Sequence, residues 1–246
     1  MNVLIIGGSG FIGKHLINNF RNQKNYKVYS VDLQVSKNFN GNGSYKGDIK
    51  DSNFLEKCIR ETKPDLIYYL VSFFSFKNNG DSKEAIKNSL IGLQNLFKNL
   101  VSKQRLVFIG SSAQYGKVPS NLQPVSEIVG FYPVSPYGVF KIFEEKEIRR
   151  LANKHNIDVV GARVFNVTGP GEPDRMVGGS IISQLKNKNK IEIGNLMSKR
   201  DFLDVRDVAN ALVFIGEKGK SNEIYNVCSG KSISIKKYLE LIVKEL

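Results

Sequence analysis

The 246-residue chain is 41% hydrophobic, contains 22 glycines and carries a formal net charge of +13, and it is long enough to bury a full core, as one large domain or as a domain with a small lobe. No apolar run reaches the roughly 18 residues of a membrane span. The apolar N-terminus lacks the basic leader of a signal peptide, and Cys58 and Cys228 show neither C-x-x-C nor metal-ligand spacing, so a protein of the reducing cytosol with no metal site is expected.

In chain order, Val3-Leu4-Ile5-Ile6 reads as a buried first strand (2–6). Gly7-Gly8-Ser9-Gly10-Phe11-Ile12-Gly13 follows and opens a helix near 11–23 with apolar spacing at Phe11, Ile12, Leu16 and Phe20. The next strand, 27–31, closes on Asp32. Helices near 51–60, 82–103 and 136–155 then alternate with strands 65–70, 105–109 and 157–163. This alternation predicts an α/β chain with a doubly wound parallel sheet of Rossmann type. After residue 166 a Gly/Pro-rich loop and shorter elements read as a small C-terminal substrate lobe. Residues 1–166 are thus expected to form the nucleotide-binding domain and 167–246 mostly the lobe, with some elements returning to the sheet. An amphipathic helix is expected over 234–246. Basic runs such as Lys186-Asn187-Lys188-Asn189-Lys190 carry no interleaved aromatics. Solvated lysines, not nucleic-acid contact, are the reading for them.

The strand–glycine turn–helix–strand–Asp layout is that of a dinucleotide site. One glycine makes the tight turn, one lets the backbone reach a pyrophosphate, and one lets the helix pack closely on the strand. The pyrophosphate sits on the unpaired N–H groups of the helix N-terminus. Gly7, Gly10, Phe11, Ile12, Gly13 and Asp32 are therefore candidate cofactor contacts. Asp32 would accept bonds from ribose hydroxyls and repel a 2′-phosphate, so NAD(H) is expected over NADP(H), with Lys37 able to soften the preference.

Ser135-Pro136-Tyr137 reads as a helix start, with serine as cap and proline at the first helical position. Tyr137 and Lys141 then share one helix face. An ammonium one turn away favours the phenolate form of a tyrosine, which makes the pair a proton donor and acceptor for a carbonyl or alcohol. Ser111-Ser112, directly after the strand at 105–109, could hydrogen-bond the same oxygen or merely cap the turn.

Six collinear motifs now resemble the extended short-chain dehydrogenase/reductases acting on nucleotide sugars. They are the glycine run with Asp32 and Gly47-Asp48-Ile49; Ser111-Ser112-Ala113-Gln114-Tyr115-Gly116; Ser135-Pro136-Tyr137-Gly138-Val139-Phe140-Lys141; Arg163-Val164-Phe165-Asn166-Val167-Thr168-Gly169-Pro170-Gly171; Arg200-Asp201-Phe202-Leu203-Asp204-Val205-Arg206-Asp207-Val208; and Tyr225-Asn226-Val227-Cys228-Ser229-Gly230. The resemblance implies Tyr137 as acid/base, with Lys141 also holding the nicotinamide ribose. It implies Ser111, or failing it Ser112, at the reacting oxygen. Asp48 and Ile49 fall on the adenine side. Leu70, Val71 and Ser72 stand where the family has Leu-Ala-Ala beside the cofactor. On the substrate side, Asn166 is implied at the sugar diphosphate and Arg200 beside the nucleotide sugar. Arg163 and Arg175 are expected to help Arg200 neutralise the diphosphate. Asp207 is expected to fix a helix start, and a homodimer is implied.

The chain departs from the family in three places. Ser89 stands three residues before Gly92, where the family carries Asn. Phe73-Phe74-Ser75-Phe76 reads as packing. Relatives continue past the final helix, so either the chain is truncated or the lobe is reduced. Family dehydratases place acidic residues directly after the hydroxyl residue, whereas Ser112, Ala113 and Gln114 follow here. A reductase of nucleotide-linked 4-keto-6-deoxyhexoses is therefore favoured, similar to the GDP-4-keto-6-deoxymannose reductases. A 4-epimerase and a non-catalytic dinucleotide sensor are the alternatives.

Overall fold

The computed structural model describes residues 1–35, 39–73, 82–187 and 190–245. Its elements are, in order, β1 (Asn2–Ile6), α1 (Phe11–Arg21), β2 (Lys27–Asp32), β3 (Gly43–Lys46), α2 (Ser52–Thr62), β4 (Leu66–Tyr69), α3 (Ser82–Asn99) and β5 (Arg105–Ser111). There follow α4 (Pro136–His155), β6 (Asp158–Val164), β7 (Asn166–Thr168), α5 (Val177–Asn187), β8 (Lys199–Asp204), α6 (Val205–Lys218), β9 (Ile224–Val227), β10 (Ser232–Ser234) and α7 (Ile235–Glu245). Seven strands form one sheet in the order β3-β2-β1-β4-β5-β6-β9, and every pairing in it is parallel.

Central strands read as continuous apolar runs because both of their faces are covered. In β1, Leu4 and Ile6 point into the core shared with α2, α3 and α4 (Leu55, Leu96, Ile148). Val3 and Ile5 point into the core shared with α1 and α6 (Leu16, Phe20, Leu212), the alternation that a strand's period of two imposes. The doubly wound sheet is the architecture that the alternating pattern predicts. Two of its strands escape that pattern. The edge strand β3, Gly-Ser-Tyr-Lys, buries none of its four residues fully, so it shows no apolar run. The other edge, β9, follows α6 in a stretch of chain (205–227) that rejoins the main sheet and packs α6 against α1, β5 and β6. Strands β7 and β8 pair in parallel, and β8 pairs antiparallel with β10. In this second sheet α7 packs on β10 and on α5.

Two helix starts differ in how far the sequence predicts them. Ser135 Oγ accepts the Gly138 N–H at 3.2 Å with proline at the first position of α4, as the sequence predicts. At α6 the cap is Asp204, not Asp207. Its carboxylate accepts the Arg206 N–H at 2.7 Å and two further bonds from the Arg206 guanidinium. Asp207 sits within the first turn, too late to reach the orphan N–H groups ahead of it.

Candidate active site

The turn between β1 and α1 shows why glycine is needed. Gly7 has φ +91°, where a side chain is strained, and a Cβ there would lie 3.2 Å from the Leu70 carbonyl carbon and the Val71 nitrogen. At Gly13 a Cβ would fall 2.5 Å from the Gly7 oxygen and 2.7 Å from the Gly8 Cα, so α1 leans on the turn backbone to backbone. Among the described residues, no side chain caps α1 and its first turn holds no acid. Its N-terminal N–H groups therefore remain available to an anion. Asp32, at the end of β2, accepts the Ser9 N–H at 2.9 Å and so ties the turn to the second strand. These features fit a dinucleotide: a bare helix N-terminus, a turn with no room for side chains at Gly7 and Gly13, and a carboxylate beyond it.

One cleft of about 1250 Å³ collects most of the sequence-predicted site. Gly7, Gly10, Phe11, Ile12, Gly13, Leu70 and Ser72 line it with Ser111, Ser112, Tyr137 and Lys141, and across from them Asn166, Arg175 and Arg200. That volume exceeds the ~300–1,000 Å³ of a typical small-molecule pocket. Asp32, Asp48, Ile49 and Val71 are not among its lining residues. Asp48 accepts the Lys50 N–H at 2.9 Å, Ile49 is buried in the core, and Val71 is half-buried against it. Lys37 and residues 74–76 of the aromatic run lie outside the described residues; Phe73 packs on the core. Residues missed in the sequence also line the cleft, notably Lys199, Phe202 and Cys228. Lys199 and Phe202 lie on β8 of the second sheet, and Cys228 directly follows β9 of the main sheet.

β5 runs two residues further than its apolar core suggests and delivers Ser111 to the cleft at its carboxyl end. Ser111 Oγ accepts the Ala113 N–H at 3.2 Å. That hydrogen bond takes up acceptor capacity on the hydroxyl and leaves its own proton to donate. Gln114 is buried and engaged at both ends: its Oε1 accepts the Ser111 N–H at 2.7 Å and its Nε2 donates to Glu145 at 2.7 Å. On α4, Lys141 is 4% exposed and its Nζ lies 2.6 Å from a Glu144 carboxylate oxygen. Burial pulls the ammonium down, but Glu144, Tyr137 and Glu145 together outweigh it and hold Lys141 above its ordinary value. Ser89 Oγ donates to the other Glu144 oxygen at 3.0 Å. Glu144 escaped the sequence reading, although a signal was present: three glutamates over residues 144–147 is an odd density for a helix face that must be buried.

Arg163 is a correction. Expected at the diphosphate, it is instead buried in β6, where strand alternation turns it into the protein. It forms a two-bond ion pair with Glu145 at 2.6 and 3.0 Å and donates to the Tyr115 hydroxyl at 2.8 Å and the Glu127 carbonyl at 3.0 Å. Across the cleft, Asn166 donates to the Asp201 carbonyl at 3.0 Å. The Asp201 carboxylate holds the 229–230 turn through Ser229 and Gly230. Arg200 is exposed, and its guanidinium donates to the neighbouring Lys199 carbonyl at 2.8 Å.

The family model described as NAD dependent epimerase/dehydratase matches residues 3–228. A GDP-6-deoxy-D-talose 4-dehydrogenase from Aggregatibacter actinomycetemcomitans is 29% identical over 98% of this chain and 79% of its own length. A GDP-6-deoxy-D-mannose reductase from Pseudomonas aeruginosa is 31% identical over 66% of this chain and 56% of its own. The structure also superposes on the UDP-glucose 4-epimerase of Thermus thermophilus complexed with NAD, with a TM-score of 0.85, 25% identity, and 99% and 83% of the two chains covered. Solved neighbours carry NAD or NADPH. No helix among the described residues is long and apolar enough to cross a membrane.

Proposed function

The chain belongs to the NAD dependent epimerase/dehydratase family, and from that premise we propose that it is a 4-ketoreductase. Its substrate would be a nucleotide-linked 4-keto-6-deoxyhexose, reduced at C4 with NAD(H), or with NADP(H) as the alternative. The observation that supports this reading is the convergence of Tyr137, Lys141 and Ser111 on one cleft with the glycine turn. When bound, a reduced nicotinamide supplies the hydride for C4. Ser111 donates its free hydroxyl proton to the carbonyl oxygen and polarises it. Tyr137 gives its phenolic proton to the alkoxide that develops there, and the Lys141 ammonium stabilises the charge left on the ring oxygen. A lysine ammonium has three donors. One is engaged by Glu144, which leaves two for Tyr137 and a ribose. Arg175, Lys199 and Arg200 at the far wall of the cleft are suited to a diphosphate, with Asn166 beside them.

Elimination of water would require a further acid and base beside Ser111. The residues that follow it into the cleft are Ser112 and Ala113, neither of which is an acid or a base, and this argues against a dehydratase. The names of the relatives support chemistry at C4 of a deoxyhexose. Others carry the name UDP-glucose 4-epimerase, and the same three side chains could serve that reaction. We further assign the protein to the cytoplasm and to a homodimer.

The test is a 340 nm assay with NADH and NADPH against GDP-, dTDP- and UDP-linked 4-keto-6-deoxy sugars. Reduced cofactor should disappear in proportion to sugar converted. Interconversion of UDP-glucose and UDP-galactose without added NADH, and with no reaction on any 4-keto sugar, would overturn the proposal in favour of an epimerase. Cofactor binding with turnover of neither class would favour a sensor.

A further inference from the structure

Beneath the cleft lies a polar group of side chains that the proposed reaction does not use. Glu144 is 2% exposed and Ser89 is fully buried, and neither lines the cleft. Together they connect α3 to the one lysine placed in the chemistry. Lys141 Nζ, Glu144 and Ser89 Oγ form a continuous chain at 2.6 and 3.0 Å. Each carboxylate oxygen thereby has its own donor, one charged and one neutral. A carboxylate taken this far from water is tolerated only when paired and hydrogen-bonded.

We propose that Glu144, steadied by Ser89, is a positioning residue for Lys141, the built-in counter-ion that keeps the ammonium charged and fixed at the wall of the cleft. The inference rests on the reading of Lys141 given above. Its physical basis is that a buried lysine without a partner tends to lose its proton; documented cases fall to about 5–6. The groups around Lys141 allow few substitutes for Glu144. From its own helix come Tyr137, Glu144 and Glu145, but both Glu145 oxygens are already held by Arg163 of β6 and Gln114 of the turn after β5. From β5 comes the neutral Ser111. From α3 comes Ser89, and from β4 comes Tyr69, whose phenol is pushed well up by burial first and by the Glu144 charge second. Glu144 is thus the carboxylate committed to Lys141. An alternative explanation treats the Ser89–Glu144 bond as a helix-to-helix tie with no bearing on Lys141's charge.

The experiment titrates Lys141 directly, in protein labelled with 13C-lysine, by following the Cε resonance with pH. Lys141→Met assigns the signal. In Glu144→Gln, which keeps the shape and the bond to Ser89 but removes the charge, the Lys141 midpoint should fall by about two pH units or more. Glu144→Asp should restore part of the loss, and Ser89→Ala should produce a smaller fall in the same direction. NADH affinity, read by fluorescence between pH 6 and 9, should weaken about tenfold more across that range in Glu144→Gln than in the parent. A Lys141 midpoint within half a pH unit of the parent in Glu144→Gln, with only the melting temperature changed, would overturn the assignment. If Glu144→Gln does not fold, Glu144→Ala takes its place, and midpoints within half a pH unit of the parent in both Glu144→Ala and Ser89→Ala would overturn it equally. Should the parent bind neither NADH nor NADPH, the proposed function falls, while the lysine titration still decides the role of Glu144.

Discussion

Replacing Arg163 by Met is the perturbation whose consequences the structure defines most fully. The guanidinium is 5% exposed, as is its partner Glu145. It makes four hydrogen bonds, to Glu145 twice, to Tyr115 and to the Glu127 carbonyl, and lies 4.7 Å from the Phe131 ring centre. Methionine keeps much of the aliphatic stem, so the loss is mainly polar. Glu145 would be left buried with Gln114 as its remaining donor among the described residues. Removing one partner of such a pair costs about 3–5 kcal/mol. At roughly 2–4 °C per kcal/mol for a chain of this size, the melting temperature should fall by about 6–20 °C. Differential scanning calorimetry or a circular-dichroism melt provides the measurement. The double variant Arg163→Met/Glu145→Leu, which leaves no orphaned charge, should recover more than half of the loss. The opposite pattern would refute the reasoning: a melting temperature within about 2 °C of the parent, and a double variant less stable than the single one.

Tyr137→Phe removes the transferable proton but keeps the ring, so turnover should fall about 10²–10⁴-fold while NADH affinity stays within twofold; near-normal turnover would remove Tyr137 from the mechanism. Asp32 should make NADH bind tighter than NADPH in a direct titration of both, and a tenfold preference for NADPH, about 1.4 kcal/mol in the other direction, would contradict its assigned role. Gly13→Ala gains helix propensity of about 1 kcal/mol. Its Cβ would meet the Gly7 oxygen at 2.5 Å, and overpacking of this kind costs about 1–3 kcal/mol. No gain in melting temperature and at least a tenfold loss of NADH affinity are expected, and a stabilised variant with parental affinity would show that α1 does not need this close approach.

The sheet was legible because its central strands are buried on both faces and so announce themselves as apolar runs. β3 was not, since an edge strand of four half-exposed or exposed residues has no face to mark. The start of α4 was legible to the residue, because serine followed by proline admits few other conformations. The glycine turn and the Tyr137–Lys141 pair could be named from their offsets to element boundaries, whereas only the family resemblance set Ser111 ahead of Ser112, and both line the cleft. What escaped was pairing across elements. Nothing in the one-dimensional pattern says that Arg163 turns toward Glu145 and not toward a phosphate, because a strand residue's face depends on which neighbours flank the strand. Glu144 escaped for the same reason: its partner Ser89 lies on a different helix, 55 residues away. The sequence reading put the start of α6 at Asp207, whereas the backbone turns helical after Asp204, a boundary that a one-dimensional pattern does not fix.

The two adjacent glutamates of α4 divide the work of holding the site. Successive residues on a helix point about 100° apart, so Glu144 faces α3 and Lys141 while Glu145 faces β6 and the turn after β5. Through Glu145 runs a buried line of bonds from Arg163 to Gln114 and on to the Ser111 backbone N–H. That line crosses from the helix that carries Tyr137 to the strand that carries Ser111. On the proposed mechanism, the Ser111 and Tyr137 hydroxyls meet one oxygen and must be held to within a fraction of an ångström. Neither the sheet alone nor the helix alone sets their separation, because they belong to different elements that could slide or rotate against each other. A charged pair clamped by a neutral amide resists both motions, since any displacement would leave a buried charge unpaired. Glu145 therefore ties α4 to β5 and β6, and on the proposals above this fixes where the two hydroxyls stand while Glu144 fixes the charge of Lys141. The first role should appear in thermal stability and the second in the titration of Lys141, and that is why the two variants are predicted to fail in different assays.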